Sequence, residues 1–155
     1  MSGSTFRHNY LTISLPDLWE DASQVIALGP EDGGFRPNVV FSDEPTKPGE
    51  TAIQYAARQL PQLELALTGY TLINERSARF GPNSGFLREH TFSMDKGDIR
   101  QFQFYVIISG RAYTLTFTNL NERFESARTT AEMLFANTRI VPRGFLANAG
   151  NSAEV

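Results

Sequence analysis

An α+β fold is what this sequence predicts: one largely antiparallel β-sheet with two main helices packed on it. Apolar residues alternate with a period of two through most of the chain and switch to helical spacing only after Thr51 and after Asn121. Turn-forming clusters of glycine, proline, asparagine and aspartate separate the alternating stretches. The resulting order is three strands, a helix, four strands and a helix, with no internal repeat.

The first strand is expected over residues 6–15, where Tyr10, Leu11 and Ile13 lead to a stop at Pro16. Asp17-Leu18-Trp19-Glu20-Asp21 then makes a turn that holds the only tryptophan. A short second strand covers 23–28 and ends at Gly29-Pro30, and a polar loop at 31–34 precedes a third strand over 38–42. A proline-rich connection, 43–50, leads into the first helix, whose inward face is marked by Ile53, Ala56, Ala57, Leu60, Leu63 and Leu67. Pro61 removes a backbone donor inside that segment, which predicts a kink or two abutting helices, and Gly69 suits its C-cap.

The second half is mostly sheet. Strands at 70–80 and 86–94 flank the turn cluster 81–85, and Asp95-Lys96-Gly97 suits a turn with Gly97 in the left-handed position. Strands at 99–109 and 112–119 flank Gly110-Arg111, read as a type II′ hairpin. The second helix, 122–137, carries Phe124, Ala127, Ala131, Leu134 and Phe135 inward with Asn121 as its cap. Residues 139–141 are expected as an edge strand, and 143–155 as a flexible tail.

The Gly110-Arg111 hairpin sets Ser109 opposite Ala112 and Ile108 opposite Tyr113, and opposed residues share a face. One face then reads Phe102, Phe104, Val106, Ile108, Tyr113, Leu115 and Phe117, a core that must lie under the helices. The other reads Gln101, Gln103, Tyr105, Ile107, Thr114, Thr116 and Thr118, mixing amides and hydroxyls with two large apolar groups and no charge. Two readings stay open: a solvated sheet face, since threonine is a good strand residue, or a groove floor that receives an apolar partner. Phe92 and Met94 join the core if the loop after them has three residues, and the mixed face if it has two or four.

Bulk properties exclude several classes. The 155 residues fit one domain, with 41% hydrophobic and 20% charged residues. A net charge of -3 and only two lysines, Lys47 and Lys96, argue against nucleic-acid binding, which needs a concentrated basic face. Without cysteine there are no disulfides, thiolate nucleophiles or zinc–sulfur sites. No Sec-type signal opens the chain and no stretch reaches the ~20 apolar residues of a membrane span, so a cytoplasmic protein without membrane insertion is expected.

No catalytic, metal or cofactor constellation is found. His8 falls in the frayed start and His90 in a strand; Asp17, Glu20 and Asp21 cluster where acidic residues are ordinary turn formers. The glycines at 81–85 and 31–34 do not open into a helix as a phosphate loop must. An enzyme or small-molecule site would need a deep pocket at His90 or Trp19.

The opening Leu15-Pro16-Asp17-Leu18-Trp19-Glu20-Asp21, with Ser23, resembles the start of DcrB-like proteins, small domains of the PsbP-like α/β/α sandwich group. Tyr55-Ala56-Ala57-Arg58-Gln59-Leu60, Arg100-Gln101-Phe102-Gln103-Phe104 and Tyr113-Thr114-Leu115-Thr116-Phe117-Thr118 are most similar to the Eag chaperones of type VI secretion systems. The resemblance spans residues 6–142, a single domain. It implies a cytoplasmic homodimer without cofactor that shields the hydrophobic N-terminal helices of a secreted effector and helps load it onto the spike protein. It further implies that Gln59 and Gln101 bond the client backbone, with Gln103, Tyr105 and Ile107 joining the partner-binding face by register. The alternative is a structural or regulatory interaction module of the same fold with a folded protein partner.

Overall fold

The computed structural model describes residues 5–8 and 11–142; the expected tail, 143–155, lies outside them. Among the described residues eight strands form two sheets. β1 (Thr5–His8) and β2 (Leu11–Ser14) pair only with each other, so the single strand expected at 6–15 is a small separate hairpin. The main sheet holds β3 (Val25–Leu28), β4 (Asn38–Pro45), β5 (Thr71–Phe80), β6 (Asn83–Met94), β7 (Gly97–Ile108) and β8 (Arg111–Leu120) in the antiparallel order β3-β4-β8-β7-β6-β5. Helix α1 (Ala52–Ala66) crosses one face and α2 (Asn121–Asn137) the other. The result is an α/β/α sandwich, and both faces of the sheet carry a core.

The β7–β8 turn corrects the expected register without disturbing the faces. Ile108 pairs with Arg111 and Val106 with Tyr113, so the turn residues are Ser109 and Gly110. Both have positive φ, 48° and 77°, which is the type I′ geometry that follows strand twist. The slip relative to the expected Gly110-Arg111 turn is two residues, and parity is conserved. Phe102, Phe104, Val106, Leu115 and Phe117 therefore remain on one face, with α2 over them.

That α2 face is dry and aromatic. Phe102 meets Phe124 edge-on with ring centroids 4.9 Å apart, Phe104 meets Phe80 likewise at 4.9 Å, and Phe104 stacks on Phe135 at 5.7 Å. The strand β6 starts inside the expected turn cluster, and Asn83 closes the end of α2 by donating to the carbonyls of Phe135 (3.0 Å) and Thr138 (2.9 Å). Any side chain at Gly85 would collide with the Tyr105 carbonyl, so the strand needs glycine there. Leu120 is the N-cap residue and no side chain caps α2, so Asn121 begins the helix instead of capping it. Residues 139–141 form no strand, although Ile140 packs on the core.

Helix α1 starts with a reciprocal capping box between Thr51 and Gln54 and runs unbroken past Pro61, in place of two abutting helices. The carbonyl that Pro61 leaves unbonded belongs to Ala57, on the exposed side, where water can take it. Its inward face is also turned from the expected one: Tyr55 and Ala56 are buried, while Ile53 and Ala57 are exposed. Leu67 is the C-cap, two residues before Gly69.

The β6–β7 loop is the two-residue form, since Met94 pairs with Gly97. Phe92 therefore joins the α1 side, where it packs with Ile99, Leu120, Phe35 and Leu67.

Candidate functional site

The α1 face is organised in rows that cross the sheet. One runs Ile26–Val40–Thr116–Gln103–Arg88–Glu75 from β3 to β5, and the next runs Leu28–Asn38–Thr118–Gln101–His90–Leu72. Each row begins with an exposed apolar residue at the β3 edge, Ile26 at 59% and Leu28 at 55%. Each passes through hydroxyls or amides to a buried polar group on β6, Arg88 or His90, before ending at an exposed residue of β5.

Arg88 anchors α1 over the β6–β7 part of this face. It is fully buried, and its guanidinium donates to the Ala56 carbonyl (2.6 Å), the Tyr105 hydroxyl (2.9 Å) and the Glu75 carboxylate (2.9 Å). A guanidinium spreads its donors in a planar fork, so one side chain ties α1 to two strands. Tyr105 lies beneath α1 at 2% exposure, edge-on to Tyr55, and burial pushes its hydroxyl up to about 12. Burial raises Tyr55 as well, reinforced by the hydrogen bond its hydroxyl donates to Glu44.

Helix α1 packs on β6 and β7 and leaves most of the β3–β4–β8 half uncovered. A groove of about 310 Å³ lies where α1 overhangs it, with Gln59 and Leu63 from the helix above Gln103, Thr114, Thr116 and Glu44. Gln59 donates its amide nitrogen to Glu44 (3.3 Å), which turns its oxygen to the groove. Gln103 accepts the Tyr105 hydroxyl on its oxygen, which leaves its nitrogen for the groove. The pair thus presents one acceptor and one donor, the complement of a peptide unit.

Among the residues expected at a partner site, Gln59, Gln103 and Tyr105 line this groove together, with Tyr105 as its buried base. Gln101 and Ile107 do not. Gln101 is held at both ends, donating to Thr118 (2.9 Å) and accepting from the His90 Nε2–H (2.9 Å). Ile107 packs against Tyr55, Ala56, Tyr105 and Ala112 under the start of α1. Ile26, Val40 and Glu44 were not singled out from sequence. The β3–β4 register was the missing information: β4 runs on to Pro45, through residues that look like a polar loop.

His90 sits wholly inside the core, and burial depresses it to about 4. Its Nδ1 and the neighbouring Tyr70 hydroxyl find no partner among the described residues. Trp19 stands at the other extreme, on an exposed turn. Neither residue lines the groove under Gln59. Among the described residues no group of three or more His, Asp or Glu could hold a metal, and no helix is long and apolar enough to cross a membrane.

A six-stranded antiparallel sheet between two helices, with one face half open, defines a PsbP-type sandwich. Within that class the chain belongs to the DcrB family, whose model matches residues 11–137. No curated protein sequence matches it. Among solved structures it is similar to PA94 of Pseudomonas aeruginosa, a protein of unknown function, at TM-score 0.74 and 18% identity over 92% of this chain and 99% of that one. It is also similar to cyanobacterial PsbP of Synechocystis sp. PCC 6803 (TM-score 0.53, 9% identity, 84% and 86% covered). LpqN of Mycobacterium tuberculosis, involved in cell envelope biogenesis, follows at TM-score 0.51 and 16% identity, with 79% and 87% covered. These likenesses establish the fold.

Proposed function

We propose that this chain is a non-enzymatic, polypeptide-binding chaperone of the Eag type. It works in the cytoplasm as a homodimer and shields the hydrophobic N-terminal segment of a type VI secretion effector. The observation that carries the reading is the open half-row Ile26–Val40–Thr116–Gln103 with Gln59 above it. An apolar helix laid there covers Ile26, Leu28 and Leu63, at ~25 cal/mol for each Å² removed from water. The unengaged amide groups of Gln59 and Gln103 receive the helix's polar backbone or small hydroxyl side chains, so that these are not buried unpaired. The residues the resemblance assigned are thereby redistributed: Gln59 and Gln103 meet the client, while Gln101 and Ile107 support the fold.

Co-expression with the N-terminal segment of a candidate effector, followed by affinity measurement, tests this. A soluble complex is expected, weakened at least tenfold by Ile26→Asp and by the pair Gln59→Ala with Gln103→Ala, all at positions open enough to leave the fold intact. A complex indifferent to these changes would move the client elsewhere on the molecule.

A further inference from the structure

Two further apolar features lie apart from this site. The first is the turn after the β1–β2 hairpin. Trp19 N–H bonds the Pro16 carbonyl (3.2 Å), and Leu18, at the tip, is 100% exposed in a left-handed conformation, φ 72°. Leucine rarely adopts that conformation, because its Cβ crowds the backbone. Trp19 is 66% exposed beside it, and Ile13 of β2 is exposed as well. A two-stranded hairpin paired to nothing else is marginal in water. The second feature is a groove of about 550 Å³ on the α2 face, beyond the end of that helix, lined by Phe41, Tyr113, Leu115 and Ile140 with Val25 as an exposed wall.

We infer that the Leu18–Trp19 turn of one protomer seats in this groove of a second copy, reciprocally about a two-fold axis. The chain's own turn is not the occupant. Asp21 and Ser23, which follow Trp19 almost at once, already form the groove's rim, while neither Leu18 nor Trp19 lines it. The chain therefore carries the turn past its own groove. The chemistry matches: an apolar lining takes leucine and indole. Each insertion buries an aromatic of ~150–250 Å² plus a leucine and the walls they cover. Two reciprocal insertions reach the order of 1,000 Å² that a specific interface needs, and the arrangement is isologous, so it closes as a dimer. This deepens the homodimer of the reading above by naming its interface, and it leaves the open half-row on the α1 face clear for a client.

The chain has one tryptophan and no cysteine, which makes the test direct. Light scattering and Trp19 emission are followed on dilution. The single variants Leu18→Cys and Val141→Cys are mixed under oxidising conditions, Val141 being an exposed wall of the groove. The expected result is blue-shifted emission in the dimer that moves to the red as it dissociates, and a mixed disulfide dimer exceeding either self-linked product. Val25→Arg, at an exposed wall position, should raise the dissociation constant at least tenfold. A dimer with solvent-like Trp19 emission and no mixed disulfide would overturn this interface while leaving the homodimer standing. A monomer at all concentrations would remove both, and client binding measured on the same sample would show whether the chaperone reading survives. Blue-shifted emission in the monomer would mean that the turn fills its own groove, which also overturns the proposal.

Discussion

The two faces of the sheet are made by the same alternating strands and end up as different materials. Under α2 lies a closed aromatic core in which Phe80, Phe102, Phe104, Phe117, Phe124 and Phe135 touch one another. Its one buried carboxylate, Glu89, is held by Arg100 (2.6 Å) and Arg128 (2.9 Å) at the margin. Under α1 lie two smaller apolar clusters, around Tyr105 and around Ile99, set in a lattice of amides, hydroxyls and one guanidinium. Only Tyr55 and Ala56 of α1 are buried, against Phe124, Ala131 and Phe135 of α2. The difference teaches where binding capacity can sit. Where α2 covers it, a face satisfied by its own packing is closed and leaves an opening only beyond the helix end, whereas a face held by directional bonds can stay half open without collapsing.

The largest test of the contrast is to damage the dry face. Phe135→Ala removes a ring that touches Phe80, Phe102 and Phe104 and should cost about 3–5 kcal/mol in urea denaturation. Because that face is the main core, α1 and α2 should lose amide protection together. Loss of protection in α2 alone would mean that the two faces are separate cooperative units.

Arg88→Met attacks the other face at a similar volume. It removes the donor to the Ala56 carbonyl and to the Tyr105 hydroxyl, which keeps only its bond to Gln103, and should cost about 2–3 kcal/mol. Here the expected pattern is asymmetric: hydrogen exchange in α1 rises well before that in α2. If both helices loosen equally, Arg88 is a core residue like any other and the distinction between the faces fails.

These contrasts also explain what could be read from the sequence. Alternation in β7 and β8 is a parity property, so the faces came out right even though the turn was Ser109-Gly110 and the pairing moved by two residues. The one-helix-per-face arrangement was not legible from the strands and helices themselves, because an antiparallel sheet lets a connecting helix cross either side; it came only with the sandwich resemblance. Without the placement of α1, the mixed face could not be divided into a covered half and an open half. Gln101 illustrates the consequence. It was on the correct face and in a family-like motif, yet its neighbours on the row, His90 and Thr118, use up its amide. Asn121 and residues 139–141 failed for local reasons: Leu120 passes directly from strand to helix, and the segment after α2 meets no strand to pair with.

The smallest expected effect separates the faces by pH, because His90 is the histidine of the α1 side. Gln101 donates its nitrogen to Thr118, so its oxygen faces His90 and the Nε2–H tautomer is required. A second proton would go to Nδ1, which has no acceptor among the described residues, close to the Arg88 charge. The folded state therefore binds that proton near pH 4 while the unfolded chain binds it near 6.5. With more protons on the unfolded state in that window, stability is complete above about pH 6.5 and falls as the pH drops toward about 4. Between about pH 7.5 and about pH 5.5 the loss should be about 1 kcal/mol, read from the urea midpoint. His90→Gln, which keeps a donor for Gln101 and does not titrate, should flatten that slope while leaving the Phe135 face unchanged. A slope that survives the substitution would assign the acid sensitivity to another group.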